Sequence, residues 1–155
     1  MSERFKNCSA VMLMLMRKDN NGKEEILLQK RQNTGYMDGY WDFSASGHVE
    51  DNEQMKKAMI RETFEELGVK IKYDDLDFVT LIHKNKGAIY YNGYFRSYKW
   101  ENDLQIKEPE KCEKIKWFCI DKLPENLIDD RKEAIKNYEN NIYYSEFGWD
   151  DENKN

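Results

Sequence analysis

Apolar and polar positions along the chain fall into short strand-like runs and two helix-like segments. Residues 8–17, Cys-Ser-Ala-Val-Met-Leu-Met-Leu-Met-Arg, form a continuous apolar run bounded by charge, the pattern of a buried strand. Its methionines read as core packing. Asp19-Asn20-Asn21-Gly22 is a turn, and Glu25–Lys30 is a second strand that pairs with the first as a hairpin. A long loop over 32–46 follows, with a short strand near Trp41–Ser44. Further strands are expected over 69–73, as an extended edge, and over 76–84, 88–98 and 114–120. In the aromatic strand 88–98, alternation separates Tyr90, Asn92 and Tyr94 from Ile89, Tyr91, Gly93 and Phe95, without saying which set faces a site. Residues 129–138 read as a helix with Ala134, Ile135 and Tyr138 on its apolar side. One domain is expected over residues 1–140. Residues 141–155 form a polar tail in which Phe147 and Trp149 are the side chains able to dock.

Between the early and late strands lies a segment with a different period. Gly47-His48-Val49-Glu50-Asp51-Asn52-Glu53 reads as a loop feeding a helix over 54–67 that has no Gly or Pro. Asp51 is the expected N-cap, with Gln54 as its capping-box partner, and Gly68 is the expected C′ residue at positive φ. At about 100° per residue, Glu62, Glu65 and Glu66 share an arc of roughly 100°. Ile60, Thr63, Phe64 and Leu67 lie on roughly the opposite side, so one face is expected to bury and the other to collect negative charge. Three adjacent carboxylates repel one another. A hard divalent cation such as Mg²⁺ would offset that repulsion; a solvated acidic face is the alternative.

Composition narrows the partners. The 155-residue chain suits one domain, with 35% charged residues and a net charge of −5. No basic run or lysine cluster offers a nucleic-acid surface. Three cysteines, Cys8, Cys112 and Cys119, are an odd number without metal-ligand spacing, which suits reduced thiols. Val11–Met16 is far too short to span a bilayer, and the first residues lack the apolar stretch of a signal peptide. The cytoplasm is the expected location. Neither nucleic acid nor a membrane is an expected partner, and a homodimer is left open.

The spacing of Gly47, Glu53, Arg61-Glu62, Glu65-Glu66 and Gly68 sets seven identities over 22 positions. It resembles the Nudix box, G-x5-E-x7-R-E-U-x-E-E-x-G-U, where U is a bulky aliphatic residue and only Thr63 departs. The resemblance implies an α+β fold, an α/β/α sandwich around a mixed sheet, and cleavage of nucleoside diphosphates linked to another group. It also implies a small-molecule nucleotide or other diphosphate as partner, and Mg²⁺, with Mn²⁺ as a substitute, held by Glu62, Glu65 and Glu66 with the Gly47 carbonyl. Asn52 stands where the family commonly has Gly; Asn tolerates left-handed backbone. Where many members have Pro-Gly-Gly, this chain has Ala45-Ser46-Gly47. Its Trp-Asp-x-Ser-Ala-x-Gly-His pattern resembles relatives of isopentenyl diphosphate isomerase. The catalytic Cys of that enzyme is missing from Ser44-Ala45-Ser46, so isomerase chemistry is not expected.

Roles follow from these assignments. Glu62 is the first candidate base, with Glu65 or an outer-loop glutamate as the second. Arg61 and Glu53 are expected to pair with the site's own carboxylates and hold their rotamers. Family resemblance places Arg31 near a substrate phosphate or base, against a plain surface ion pair. It also makes Glu108 and Glu110, in the charged loop 100–111, candidates for an extra ligand or base, against solvated charge. Tyr36, Tyr40 and Trp41, on the long loop, either stack a substrate ring or cover the core. His48 is a candidate proton shuttle. The leading expectation is hydrolysis of a nucleoside triphosphate to a monophosphate and pyrophosphate. Alternatives are a sugar nucleotide, a dinucleotide or an isoprenoid diphosphate as substrate, or a nucleotide-sensing module without catalysis.

Overall fold

The structure is a computed structural model that describes residues 3–150. Its strands are β1 (Cys8–Lys18), β2 (Glu24–Arg31), β3 (Trp41–Phe43), β4 (Ala45–His48), β5 (Asp77–Asn85), β6 (Ile89–Ser97), β7 (Cys112–Cys119) and β8 (Tyr144–Phe147). Helix α1 (Met55–Leu67) follows β4, and α2 (Asp129–Glu139) follows β7. The predicted hairpin forms: β1 and β2 pair antiparallel from Met16 opposite Ile26 to Lys18 opposite Glu24. The first half of β1 runs parallel to β6 on one side and antiparallel to β4 on the other. β2 continues into β3 and β7. β1 therefore belongs to both halves of a mixed sheet.

That position explains the unbroken apolar run. Met12, Met14 and Met16 join one core cluster with Phe43, Tyr94 and the α2 residues Ala134 and Ile135. Val11, Leu13 and Leu15 join a second cluster with the α1 residues Ala58, Met59 and Leu67. Successive side chains of a strand point to opposite faces, so a central strand covered by a helix on each face must be apolar at every position. The expected α+β sandwich is the observed architecture.

Three local expectations change. Ala45–His48, read as loop, is strand β4, held to β1 by backbone pairing from Ala10 opposite His48 to Leu13 opposite Ala45. Asp51 does not cap α1: the helix starts after Gln54, with no side-chain cap, and Asn52 takes φ 59°. The stretch after α1 contributes only a bridge between Lys70 and Glu101 and a short 3₁₀ turn at Tyr73–Asp75, in place of a full strand. Gly68 does close the helix, at φ 71°. The segment set apart as a polar tail contains β8, which pairs parallel with β5. Phe147 packs at the edge of the core and the Trp149 indole donates to the His83 carbonyl at 2.9 Å, so both dock. Residues 151–155 of that tail lie outside the described residues. Among the described residues no helix is long and apolar enough to cross a membrane.

Candidate active site

The site is built where α1 lies across β4. The inward face of α1 is Ala58, Met59, Thr63 and Leu67, and the predicted phase was off by part of a turn. Phe64, expected inside, is exposed, whereas Glu62 and Glu66 flank the packed face and are partly covered. The cause is β4. Gly47 has no side chain, and a Cβ there would overlap the Glu62 carboxyl, so the carboxylate lies directly on the strand backbone. One position away, the Ser46 N–H donates to Glu66 Oε2 at 2.9 Å.

A single guanidinium organises the outer rim. Arg61 donates from Nε and Nη2 to Glu53 at 2.9 and 3.0 Å, and from Nη1 to Glu62 at 2.8 Å and Glu65 at 3.4 Å. Its Nη2 also reaches the His48 carbonyl at 3.1 Å. Glu53 in turn accepts the Glu50 N–H at 3.0 Å. Arg61 thus bonds three carboxylates, and Glu53 is held between it and the Glu50 N–H. The bond from Arg61 holds the Glu53 carboxyl below its ordinary range.

Glu62, Glu65, Glu66 and Glu108 line one cleft of about 450 Å³. Burial pushes the Glu62 carboxyl up, with Glu65 and Glu108 adding to the rise and Arg61 opposing it. Burial pushes Glu66 up much further; the Ser46 N–H opposes this, and Glu62 and Glu108 reinforce it. Among the described residues no cluster of three or more acidic, His or Cys side chains is assembled as a ready metal site. Glu62 Oε1 is engaged by Arg61, and Glu66 Oε2 by Ser46. The donor chemistry nonetheless suits a hard divalent cation: carboxylate oxygens crowded together, partly desolvated, with one guanidinium among them. The buried Ser44 hydroxyl, also on this cleft, has no partner.

A second cleft, of about 350 Å³, shares Arg31, Ser46 and His48 with the first. Tyr36, Lys84, Lys86, Tyr90, Asn92 and Arg131 complete its functional wall. Of the alternating set Tyr90, Asn92 and Tyr94, the first two line this cleft and Tyr94 is buried in the core, while Gly93 faces Met55 of α1. His48 Nε2 and the Tyr90 hydroxyl are 3.1 Å apart. Arg31 donates from Nε to the Tyr36 carbonyl at 2.8 Å and from Nη1 to Asp42 at 2.9 Å, which places its guanidinium on the wall between the two clefts.

Of the loop aromatics Tyr36, Tyr40 and Trp41, Tyr36 alone lines either of these two clefts. Trp41 is a core residue, 7% exposed and edge-on to Phe118 at 4.8 Å between centroids. β3 pairs with β2 at that point, which turns the ring inward. Tyr40 is exposed but lines neither cleft. Glu108 lines the first cleft; Glu110 lines neither, and only its carbonyl is engaged, by Asn33.

Behind the second cleft runs an ionic chain that sequence reasoning missed. Buried Asp42 accepts from Arg31 and, at 2.8 Å, from Arg131 Nε. Arg131 also donates to Asp130, which accepts from the Tyr94 hydroxyl at 3.0 Å and from Lys84 at 3.3 Å. Burial works against the Asp130 carboxylate, but the charges of Arg131 and Lys84 outweigh it and hold the group below its ordinary range. The available signal was a lone charge inside the apolar triplet Trp41-Asp42-Phe43. Asp42→Asn is expected to cost about 3–5 kcal/mol in urea unfolding, because it leaves buried Arg131 underpaired. A cost below about 1 kcal/mol would show that this chain does not hold the wall in place.

The family model described as the NUDIX domain matches residues 6–138. An 8-oxo-dGTP diphosphatase of Proteus vulgaris is 30% identical over 83 residues, 54% of this chain and 72% of that protein. An RNA pyrophosphohydrolase of Wolbachia sp. subsp. Brugia malayi (strain TRS) is 30% identical over 90 residues, 58% of this chain but only 45% of that protein. The fold is also that of a MutT NUDIX hydrolase from Burkholderia pseudomallei: TM-score 0.74, 21% identity, 85% of this chain and 98% of that one. With Glu62, Glu65 and Glu66 of the box on one cleft, and the family model spanning nearly the whole sheet, the chain belongs to the Nudix family, as an enzyme of its pyrophosphohydrolase type.

Proposed function

We propose that the chain hydrolyses a nucleoside triphosphate to a nucleoside monophosphate and pyrophosphate. The observation that carries this reading is the pairing of the two clefts: four glutamates on one, cations and tyrosine rings on the other, and Arg31 between them. Glu62, Glu65 and Glu66 would hold Mg²⁺, with Mn²⁺ as a substitute, and the ion would supply charge neutralisation and a more acidic water. Glu62 would accept a proton from the attacking water. Burial raises its pKa toward the working pH, and Arg61 bonds one of its oxygens and opposes that rise. The water oxygen bonds to the α- or β-phosphorus as the α–β anhydride P–O bond breaks, the electron pair leaves on the oxygen of the departing pyrophosphate or nucleoside monophosphate, and the water's proton goes to Glu62.

Arg31 uses two of its N–H groups to bond Tyr36 and Asp42, leaving others for a phosphate oxygen. Tyr36 and Tyr90 offer ring faces to a nucleobase, and Asn92 an amide edge. The Proteus and Wolbachia relatives, an 8-oxo-dGTP diphosphatase and an RNA pyrophosphohydrolase, support the phosphoanhydride chemistry. The cytoplasm remains the proposed location; all three thiols are free.

The test is a substrate panel with Mg²⁺ or Mn²⁺ at mildly alkaline pH, with inorganic pyrophosphate, phosphate and nucleoside monophosphate quantified separately. The expected products from a nucleoside triphosphate are monophosphate and pyrophosphate in equal amounts. Release of inorganic phosphate alone, or turnover confined to sugar nucleotides, dinucleotides or isoprenoid diphosphates, would overturn it. Tight nucleotide binding with no turnover under either metal would leave only a sensing role.

A further inference from the structure

The second cleft carries more positive charge than a nucleoside needs. Four cations line it, Arg31, Lys84, Lys86 and Arg131, and no acidic residue does. The acids stand behind the wall. Asp42 and Asp130 are shared among Arg31, Arg131 and Lys84, so three cations face two anions. The fourth, Lys86, has among the described residues only the exposed Asp129, at 3.8 Å, a pair that solvent screens. A nucleobase is neutral, and Tyr36, Tyr90 and Asn92 already provide faces and edges for it. The glutamates that would manage the scissile anhydride lie on the other cleft, and Lys84 and Lys86 do not line that one. Lys84 is also mostly covered, its side chain 12% exposed, so its ammonium gives up hydration that an anion in the cleft would replace.

We propose that the second cleft takes a nucleotide bearing a phosphate additional to the anhydride that is cleaved, with Lys84 and Lys86 as the cations that receive it. This inference rests on the pyrophosphohydrolase reading above and names its substrate class: a nucleoside polyphosphate that carries a further phosphate on its ribose. Isothermal titration of the metal-free chain with a nucleoside 5′-monophosphate and with the matching 3′,5′-bisphosphate isolates the added phosphate. The bisphosphate is expected to bind on the order of tenfold more tightly, from one charge-assisted contact in a partly dry cleft. Lys86→Met is expected to cut that advantage to about threefold or less; circular dichroism checks that it folds. In turnover, kcat/KM for the 3′-phosphorylated triphosphate should exceed that of the plain one by a similar factor. Equal binding of the two nucleotides would overturn the proposal. So would an advantage that Lys86→Met and Lys84→Met both leave intact. A bisphosphate advantage without turnover of any triphosphate upholds the cleft assignment and overturns the pyrophosphohydrolase reading; turnover without an advantage does the reverse.

Discussion

Glu66→Gln is expected to lower turnover at saturating Mg²⁺ by at least about 100-fold, and Glu65→Gln by a similar factor. The Glu66 effect should come with a change in stability of opposite sense. Glu66 is buried beside Glu62 and Glu108, and its folded pKa lies well above the ordinary carboxylate value. A group raised in this way contributes stability that is fully present below its unfolded pKa and is lost as pH rises through the folded value. The metal-free chain should therefore weaken relative to Glu66→Gln as pH climbs from about 5 upward. Glutamine keeps an acceptor for the Ser46 N–H, so the comparison isolates the charge. Mg²⁺ should reverse the order, raising the Tm of the unaltered chain, and more so at higher pH, because its ligands must be deprotonated. Thermal melts of both proteins with and without Mg²⁺, at two pH values, read all of this. Unchanged turnover in both glutamine variants would remove these carboxylates from the reaction.

The same residues show what the sequence makes legible. The box spacing, the hairpin, the Gly68 stop and the left-handed Asn52 can be read because each depends on neighbours a few positions away. The phase of α1 could not be. A helical wheel puts three glutamates on an outer face because charge usually seeks water. Here β4 offers a bare Gly47 and the Ser46 N–H, which draw Glu62 and Glu66 inward and leave Phe64 in solvent. β4 itself was invisible: Ala45-Ser46-Gly47-His48 has no apolar alternation, and its strand character comes from the free edge of β1. The Asp51 cap failed because the loop is pinned by Glu53, through the Glu50 N–H and Arg61.

Partners far apart in sequence were the other blind spot. Asp42 and Arg131 lie 89 residues apart, and nothing local marks either as one of a pair. The long loop misled for a related reason. Three aromatics there looked equivalent, yet pairing of β3 with β2 sends Trp41 into the core, while Tyr36 is held over the second cleft by its neighbours Arg31 and Lys84. The family was readable from the box, whereas the walls of both clefts depend on contacts that only the folded sheet creates.

Gly47→Ala is expected to be nearly as damaging to turnover as loss of a glutamate, although alanine is chemically inert. Gly47 does not have a positive φ, so backbone conformation is not the constraint. The constraint is close approach: a Cβ would overlap the Glu62 carboxyl, and the Glu62 Cγ would lie only 2.6 Å away. The helix cannot move off easily, because Ala58, Met59 and Leu67 pack it against the β1 residues Val11, Leu13 and Leu15. Glu62 must therefore swing out, straining its bond to Arg61. Displacing a reacting group by about 1 Å can cost about 100-fold, the loss in kcat/KM expected here. Overpacking should also cost about 1–3 kcal/mol of stability. A double-mutant cycle with Glu62→Ala separates this account from a general weakening of β4. If overlap is the cause, Gly47→Ala should cost almost nothing in stability once Glu62 is truncated, and should lower the residual activity no further. Equal destabilisation in both backgrounds would place the fault in the strand, and would mean that the carboxylate does not depend on the bare backbone of β4.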